Sequence, residues 1–119
     1  KFKDSRTSLS DGVRFSLQGI PNKLYAGHDY KINLDVYNEN GSALQLEEIM
    51  GAPGHMVAFD KAGRGFAHMH PTSSVVGAVK SDELLSFLFN VPNPGWYRLF
   101  AQVKVNGNEV FGRFDLYLE

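Results

Sequence analysis

The sequence has 119 residues, a formal net charge of −1, no cysteine and an aromatic content of 13%. This length fits one compact domain, and without cysteine the chain has no disulfides, thiolate zinc sites or cysteine nucleophiles. The net charge is near zero and no basic cluster is present, so nothing in the charge favours binding to nucleic acid. No run of 18 apolar residues occurs, which predicts that the chain has no membrane span.

Apolar and polar residues alternate with a period of two through most of the chain, which is typical of half-buried strands. A polar lead, residues 1–11, comes first. The alternation then predicts inward faces in four runs: Val13, Phe15 and Leu17; Tyr30, Ile32, Leu34 and Val36; Tyr97, Leu99, Ala101, Val103 and Val105; and Phe114, Leu116 and Leu118.

Turn residues separate these runs. Asn40-Gly41 and Asn106-Gly107 supply the positive φ angles of tight hairpin turns. Pro92-Asn93-Pro94-Gly95 ends a run that we read as a strand from Leu84, with a single helical turn over Ser81–Leu85 as the alternative. We also expect a β-bulge at Gly112.

These patterns predict an all-β fold for residues 1–119 as a single domain. About seven to nine short strands with turns every 8 to 12 residues are typical of an antiparallel β-sandwich. No repeat or linker divides the sequence.

The histidines are the most chemically informative residues. His68 and His70 are two positions apart, so on a strand they share one face, about 7 Å apart at the backbone. His55 opens the preceding predicted strand, and Asp60–Arg64 between them is typical of a hairpin loop. If the two strands pair, we expect His55 to approach His68, so that His55, His68 and His70 form a metal site with one open position.

Copper is the favoured metal and zinc the alternative, because imidazole binds both. All three methionines of the chain, Met50, Met56 and Met69, lie in the same region, and thioether sulfur favours Cu(I). Strand alternation turns Met56 and Met69 away from the histidines. Met50, in the preceding loop, is therefore the only methionine that we predict as a ligand, and a weak one.

A purely structural role for the same residues stays open. An H-x-H pair alone is more often structural than metal-binding, and methionine commonly fills irregular gaps in cores. His28 lies in a predicted Gly27-His28-Asp29 turn and is left out of the site. Strand alternation predicts that Phe100 faces outward. An outward aromatic residue either marks an interface or is covered by another part of the same protein.

The stretches Met50–Asp60, Gly65–Pro71, Phe87–Val91 and Pro94–Val103 together resemble a group of largely uncharacterised bacterial secreted or periplasmic domains. These domains carry a G-A-x-G-H…H-x-H-P motif, onto whose histidines His55, His68 and His70 map. The resemblance implies a secreted or periplasmic location and an immunoglobulin-like or cupredoxin-like fold. Cupredoxins hold blue copper through a cysteine thiolate, so their electron-transfer role is excluded here.

Three functions follow from these observations. The first is a metal-binding module of the bacterial cell envelope or extracellular space. The second is a structural, adhesive or filament-forming subunit that self-associates through sheet edges or adds its lead, residues 1–11, to a neighbour's sheet. The third is an enzyme in which the metal activates water. We rank it last, because the carboxylate nearest in sequence, Asp60, is turned away from His55 by strand alternation and cannot serve as a general base there.

Overall fold

The computed structural model describes residues 1–69, 79–80 and 85–119, with the backbone alone for residues 66–68 and 79–80. The described residues contain eight strands of four or more residues and two of two residues: β1 (Thr7–Ser10), β2 (Val13–Gln18), β3 (Tyr30–Asn38), β4 (Gln45–Leu46), β5 (His55–Asp60), β6 (Gly65–Met69), β7 (Val79–Lys80), β8 (Leu85–Phe89), β9 (Gly95–Val105) and β10 (Asn108–Leu118). Nowhere in these ranges is there a helix of the length and apolarity that crossing a membrane would need.

The strands form two four-stranded antiparallel sheets, in the orders β1-β2-β3-β8 and β10-β9-β5-β6. A short pair, β4 with β7, lies beside them. The inner faces of the two large sheets share one hydrophobic cluster, to which every strand of both sheets except β1 contributes. The predicted all-β antiparallel sandwich is therefore confirmed.

The inward faces predicted from the alternation are buried, except for Tyr30 and Val105 at strand ends, which are partly buried. In β9, Tyr97, Leu99, Ala101 and Val103 are at most 2% exposed, while the residues between them are partly exposed. β8 begins at Leu85, and its Leu85, Phe87 and Phe89 are buried as predicted. The alternative helical turn lies mostly outside the described residues, since 81–84 are not among them.

Both predicted Asn-Gly turns are present. Asn106 and Gly107 have φ angles of 50° and 78° and join β9 to β10 in a two-residue hairpin, with Val105 paired to Asn108. Gly41, with a φ of 90°, lies in the turn after β3. These positive angles are the conformation that Asn and Gly adopt most readily, so the local sequence determines the turns.

The bulge predicted at Gly112 is wrong. β10 pairs with β9 in an uninterrupted register from Asn108 to Leu118, and Gly112 stands directly opposite Ala101. Phe111 faces outward and Gly112 inward, so alternation continues through Phe114 without a break. The glycine is needed for packing, because a Cβ there would come within 2.6 Å of the Phe15 ring. Within the described residues, a bulge occurs instead in the β5–β6 pair, where the register shifts between Ala58 and Phe59.

The polar lead is attached to the domain. β1 pairs with β2 through four residues, and Ser5 exchanges two backbone hydrogen bonds with Asp115 of β10. The Asp115 carboxylate also accepts hydrogen bonds from the Lys3 N–H and from Arg98. The lead therefore crosses from one sheet to the edge of the other.

Candidate metal centre

His55 is the first residue of β5, a strand that lies between β9 and β6. Its Cα partner on β9 is Gln102, and its side chain is partly exposed. The next residue, Met56, is 1% exposed and packs in the core. Alternation along β5 thus places His55 on the outer face of the β10-β9-β5-β6 sheet.

The imidazole of His55 is fixed by one hydrogen bond to the backbone. Its Nε2 lies 2.5 Å from the carbonyl oxygen of Ile49. A carbonyl oxygen can only accept, so Nε2 carries the proton and donates it. In a neutral ring the lone pair that binds a metal is then on Nδ1.

Ile49 belongs to a tight hairpin turn that also contains Met50. Ile49 and Ala52 exchange backbone hydrogen bonds of 2.8 and 3.1 Å, and between them Met50 and Gly51 have φ angles of 48° and 83°. Two successive positive φ angles define a type I′ turn, which Asn-Gly prefers. A methionine in this conformation carries a steric cost of about 1–2 kcal/mol.

The Met50 side chain gains little from packing to offset that cost, because 81% of the residue is exposed. Together with His55 it borders a groove of about 370 Å³. The described residues that line this groove are mostly apolar: Met50, His55, Met56, Val57, Met69, Phe100, Gln102 and Phe111. A strained, exposed side chain beside an oriented histidine is the kind of feature found at binding sites.

The structure brings the β6 histidine region beside His55, but in a different register from the one expected. Met56 pairs with Met69 and Val57 with His68, so Val57 rather than His55 stands opposite His68. The Cα atoms of His55 and His68 are then diagonal neighbours, about 7–8 Å apart. Of His68 the structure describes only the backbone, and His70 lies outside the described residues.

A bulge accounts for one residue of this difference in register. Ala58 pairs with Ala67 but Phe59 pairs with Gly65, so β6 carries one residue more than β5 near the hairpin loop. The loop itself is as predicted, with β5 ending at Asp60 and β6 beginning at Gly65.

The orientation predicted for the other two methionines agrees with their burial. Met56 and Met69 are 1% and 2% exposed and belong to the core cluster. The groove borders both residues, but their side chains are committed to packing. Met50 is thus the methionine available to a ligand in solution.

Sequence reasoning missed two residues of the groove, Gln102 and Phe111. Gln102 pairs with His55 on one side and with Phe111 on the other, so the three form one row across the outer face. The Gln102 side chain donates a hydrogen bond to Glu109. Their outward direction follows from alternation, but their place beside His55 depends on a pairing between distant strands, which no local pattern reveals.

Phe100, predicted to face outward, is partly covered by the protein itself. It packs edge-on against Phe59 of β5, with ring centroids 5.9 Å apart.

The carboxylate nearest to His55 in sequence belongs to Asp60. It accepts hydrogen bonds from the backbone N–H groups of Ala62 and Arg64 and pairs with the Arg64 guanidinium at 2.9 Å. The Arg64 backbone N–H, with its side chain, holds the pKa of Asp60 below the usual range. Asp60, the last residue of β5, thus holds the hairpin loop together, and the enzyme hypothesis gains no general base from it.

The described side chains do not by themselves make a complete metal site. Among them, no three histidine, cysteine, aspartate or glutamate residues come close enough to hold an ion together. His55 is the one predicted histidine ligand whose side chain is described, and it borders the same groove as Met50 and Met69.

The turn geometry predicts that Met50→Asn stabilises the domain by about 1 kcal/mol, because asparagine tolerates a positive φ that penalises methionine. For a domain of this size that corresponds to a rise in melting temperature of about 4 °C. Calorimetry or thermal circular dichroism measures it. Met50→Leu is the control, since leucine retains the penalty, and equal melting temperatures for the two variants would contradict the assigned turn.

The sequence matches one family model over residues 7–119, described as a domain of unknown function (DUF8832). No curated protein and no solved structure matches it.

Proposed function

Since the chain belongs to the DUF8832 family of domains of unknown function, we propose a function from its own geometry: the domain binds one metal ion, copper or alternatively zinc, through His55, His68 and His70. The resemblance to exported bacterial domains supports a place for this module in the cell envelope or the extracellular space.

The observation that carries the proposal is the hydrogen bond from His55 Nε2 to the Ile49 carbonyl oxygen. Histidines that bind metals usually donate their second ring N–H to a carbonyl or carboxylate, which fixes the tautomer and orients the ring. His55 has this arrangement. Because the ring is held in place, binding requires little further ordering.

The strand pairing supports the participation of the other two histidines. The backbone of His68 is a diagonal neighbour of His55 in the β5–β6 ladder. His70 follows Met69, whose Cα partner, Met56, is the residue next to His55. His70 lies outside the described residues and enters the proposal by its place in the sequence, two positions after His68.

The donor set supports copper or zinc over harder cations. Imidazole nitrogen suits copper and zinc, whereas Mg²⁺ and Ca²⁺ require several oxygen ligands. The described groove residues include no carboxylate. The proposed ligands are therefore of the kind that binds a transition metal through histidine.

The test is isothermal titration of Cu(II) and of Zn(II) into protein that carries no histidine tag. We expect one ion per chain, and an affinity at least about 100-fold lower in His55→Ala and in the double variant His68→Ala/His70→Ala. Binding should weaken below about pH 6, because protons compete with the metal for imidazole.

His28 provides the matched control for removing a histidine. Its ring packs against Tyr25, in a loop whose Ala26 N–H donates to the Glu119 carbonyl near the far end of β10. His28→Ala should bind both metals as the unmodified protein does. Equal affinities for His55→Ala and His28→Ala would end the proposal.

The assembly alternative receives less support. Donation of the lead to a neighbour would have to break the β1–β2 pairing and the two Ser5–Asp115 backbone hydrogen bonds within the chain. Strand addition is most favourable where a segment has no partner of its own. Sedimentation with and without a chelator separates the two functions, since the metal-binding proposal needs only a monomer.

A further inference from the structure

We infer that Met50 is a ligand of the same ion and that the site takes copper as Cu(I). This inference rests on the proposed function, because it needs His55 as the anchoring nitrogen ligand. It adds a sulfur ligand and an oxidation state, neither of which follows from the three histidines.

The first support is that the backbone of Met50 lies close to the His55 ring. His55 donates to the carbonyl oxygen of Ile49 at 2.5 Å, and the next residue in the chain is Met50. That hydrogen bond and three covalent bonds connect Nε2 of the ring to the Met50 Cα, so these two atoms are no more than about 6.5 Å apart. Met50 and His55 also border the same groove, in which the flexible methionine side chain has room to approach an ion bound at Nδ1.

The second support is that packing does not account for the methionine. Met50 is 81% exposed and has a φ of 48°, whereas the other two methionines are buried. An apolar side chain in solvent, on a backbone that disfavours it, contributes little to folding stability. Coordination through its sulfur accounts for both features.

The third support is the character of the groove. Apart from His55 and Gln102, the described lining is apolar, and it contains no carboxylate to neutralise a cation. The cost of moving an ion out of water rises with its charge, so neutral ligands in an apolar groove favour a monovalent ion. Thioether and imidazole are also ligands that Cu(I) accepts, whereas Zn(II) rarely uses thioether.

The experiment measures Cu(I) affinity anaerobically by competition with a chromogenic Cu(I) chelator, and Zn(II) affinity by calorimetry. Met50→Leu preserves the volume and the apolar surface of the side chain while removing the sulfur. We expect it to lower Cu(I) affinity at least about tenfold and to leave Zn(II) affinity unchanged. Its melting temperature shows whether the fold is retained.

Ag(I), a stable soft monovalent ion, serves as the second probe. The chain has three methionines, so selective methyl labelling gives three NMR signals. On addition of Ag(I) we expect the Met50 methyl to shift most, with the buried Met56 and Met69 methyls as internal controls.

Two outcomes decide between the inference and its premise. Unchanged Cu(I) affinity in Met50→Leu, with Zn(II) binding still dependent on His55, would overturn the role of Met50 and leave the histidine site standing. If His55→Ala affected neither metal, the inference and the proposed function would both fall.

Discussion

Replacing Gly112 by alanine should lower the free energy of unfolding by about 1–3 kcal/mol, although the change adds a single methyl group. Three atoms of the Phe15 ring lie 2.6, 2.8 and 3.0 Å from the position that the new Cβ would occupy. Phe15 is fully buried, so its ring has no free space into which to move. The methyl group must therefore push the two sheets apart or force Phe15 from its rotamer.

Urea unfolding measures the loss, and Gly65→Ala is the matched control. Gly65 is also in a strand, but a Cβ there would meet only the Phe59 ring, at 3.4 Å. Alanine at this exposed position should be neutral or stabilise by up to about 1 kcal/mol, since it restricts the unfolded chain. A loss of equal size at both positions would show that backbone preference, not the Phe15 ring, is responsible.

A second variant identifies the Phe15 ring as the cause. In a Phe15→Leu background, which is itself destabilised by the smaller side chain, Gly112→Ala should cost at least about 1 kcal/mol less than in the original protein. An identical cost in the two backgrounds would contradict the proposed contact.

Gly112 illustrates where sequence reasoning on this chain stops. The alternation of apolar and polar residues, together with the Asn-Gly turns, predicted the inward faces of the main strands, because both depend on neighbouring residues. The glycine was interpreted as a break in that local pattern. Its actual reason is Phe15, on the other sheet and 97 positions away in sequence, whose ring lies against β10.

The candidate site likewise combines features that the local sequence predicts with features that depend on the pairing of distant segments. The start of a strand at His55 and the loop that precedes it followed from the sequence, but the tautomer of His55 depends on Ile49, which a turn brings back to the ring. The pairing with β6 was expected in a register that the bulge changes. Gln102 and Phe111 join the site only because β5 pairs with β9, and β9 with β10.

The fold nevertheless explains why the residues of the candidate site are held in place. β5 lies inside its sheet, with β9 on one side and β6 on the other, so the backbone of His55 is held by pairing with Gln102. The Ile49–Ala52 turn then supplies both the carbonyl that orients the ring and the adjacent methionine. Ligands attached to a rigid sheet and a tight turn lose little freedom on binding.

The second large effect concerns the attachment of the polar lead. We expect Asp115→Asn to destabilise the domain by about 2–3 kcal/mol. The Asp115 carboxylate accepts two hydrogen bonds from Arg98, at 2.8 and 3.0 Å, and one from the Lys3 N–H at 3.2 Å. Its side chain is 7% exposed and that of Arg98 24% exposed, so the variant leaves a largely buried guanidinium without its counter-charge.

The effect should depend on pH in a defined direction. Burial raises the pKa of the Asp115 carboxyl, but the hydrogen bonds from Arg98 and Lys3 and the guanidinium charge outweigh it, so the pKa lies below its ordinary value of 3.8. A lowered pKa in the folded state means that the stabilisation is complete above about pH 4 and is lost as the pH falls towards the folded-state value. The difference between the original protein and Asp115→Asn should therefore be constant from pH 7 to 5 and shrink below pH 4.

Urea unfolding at several pH values tests both statements, with Lys23→Ala as the control for a salt bridge at the surface. Lys23 and Glu119 are 3.6 Å apart, with side chains 62% and 47% exposed, so their pair should contribute less than about 1 kcal/mol. In Asp115→Asn we also expect faster proteolysis of residues 1–5, because an amide retains only one acceptor oxygen for the three hydrogen bonds from Lys3 and Arg98. A difference in stability that persisted undiminished to pH 3 would show that Asp115 acts through its shape and not through its charge.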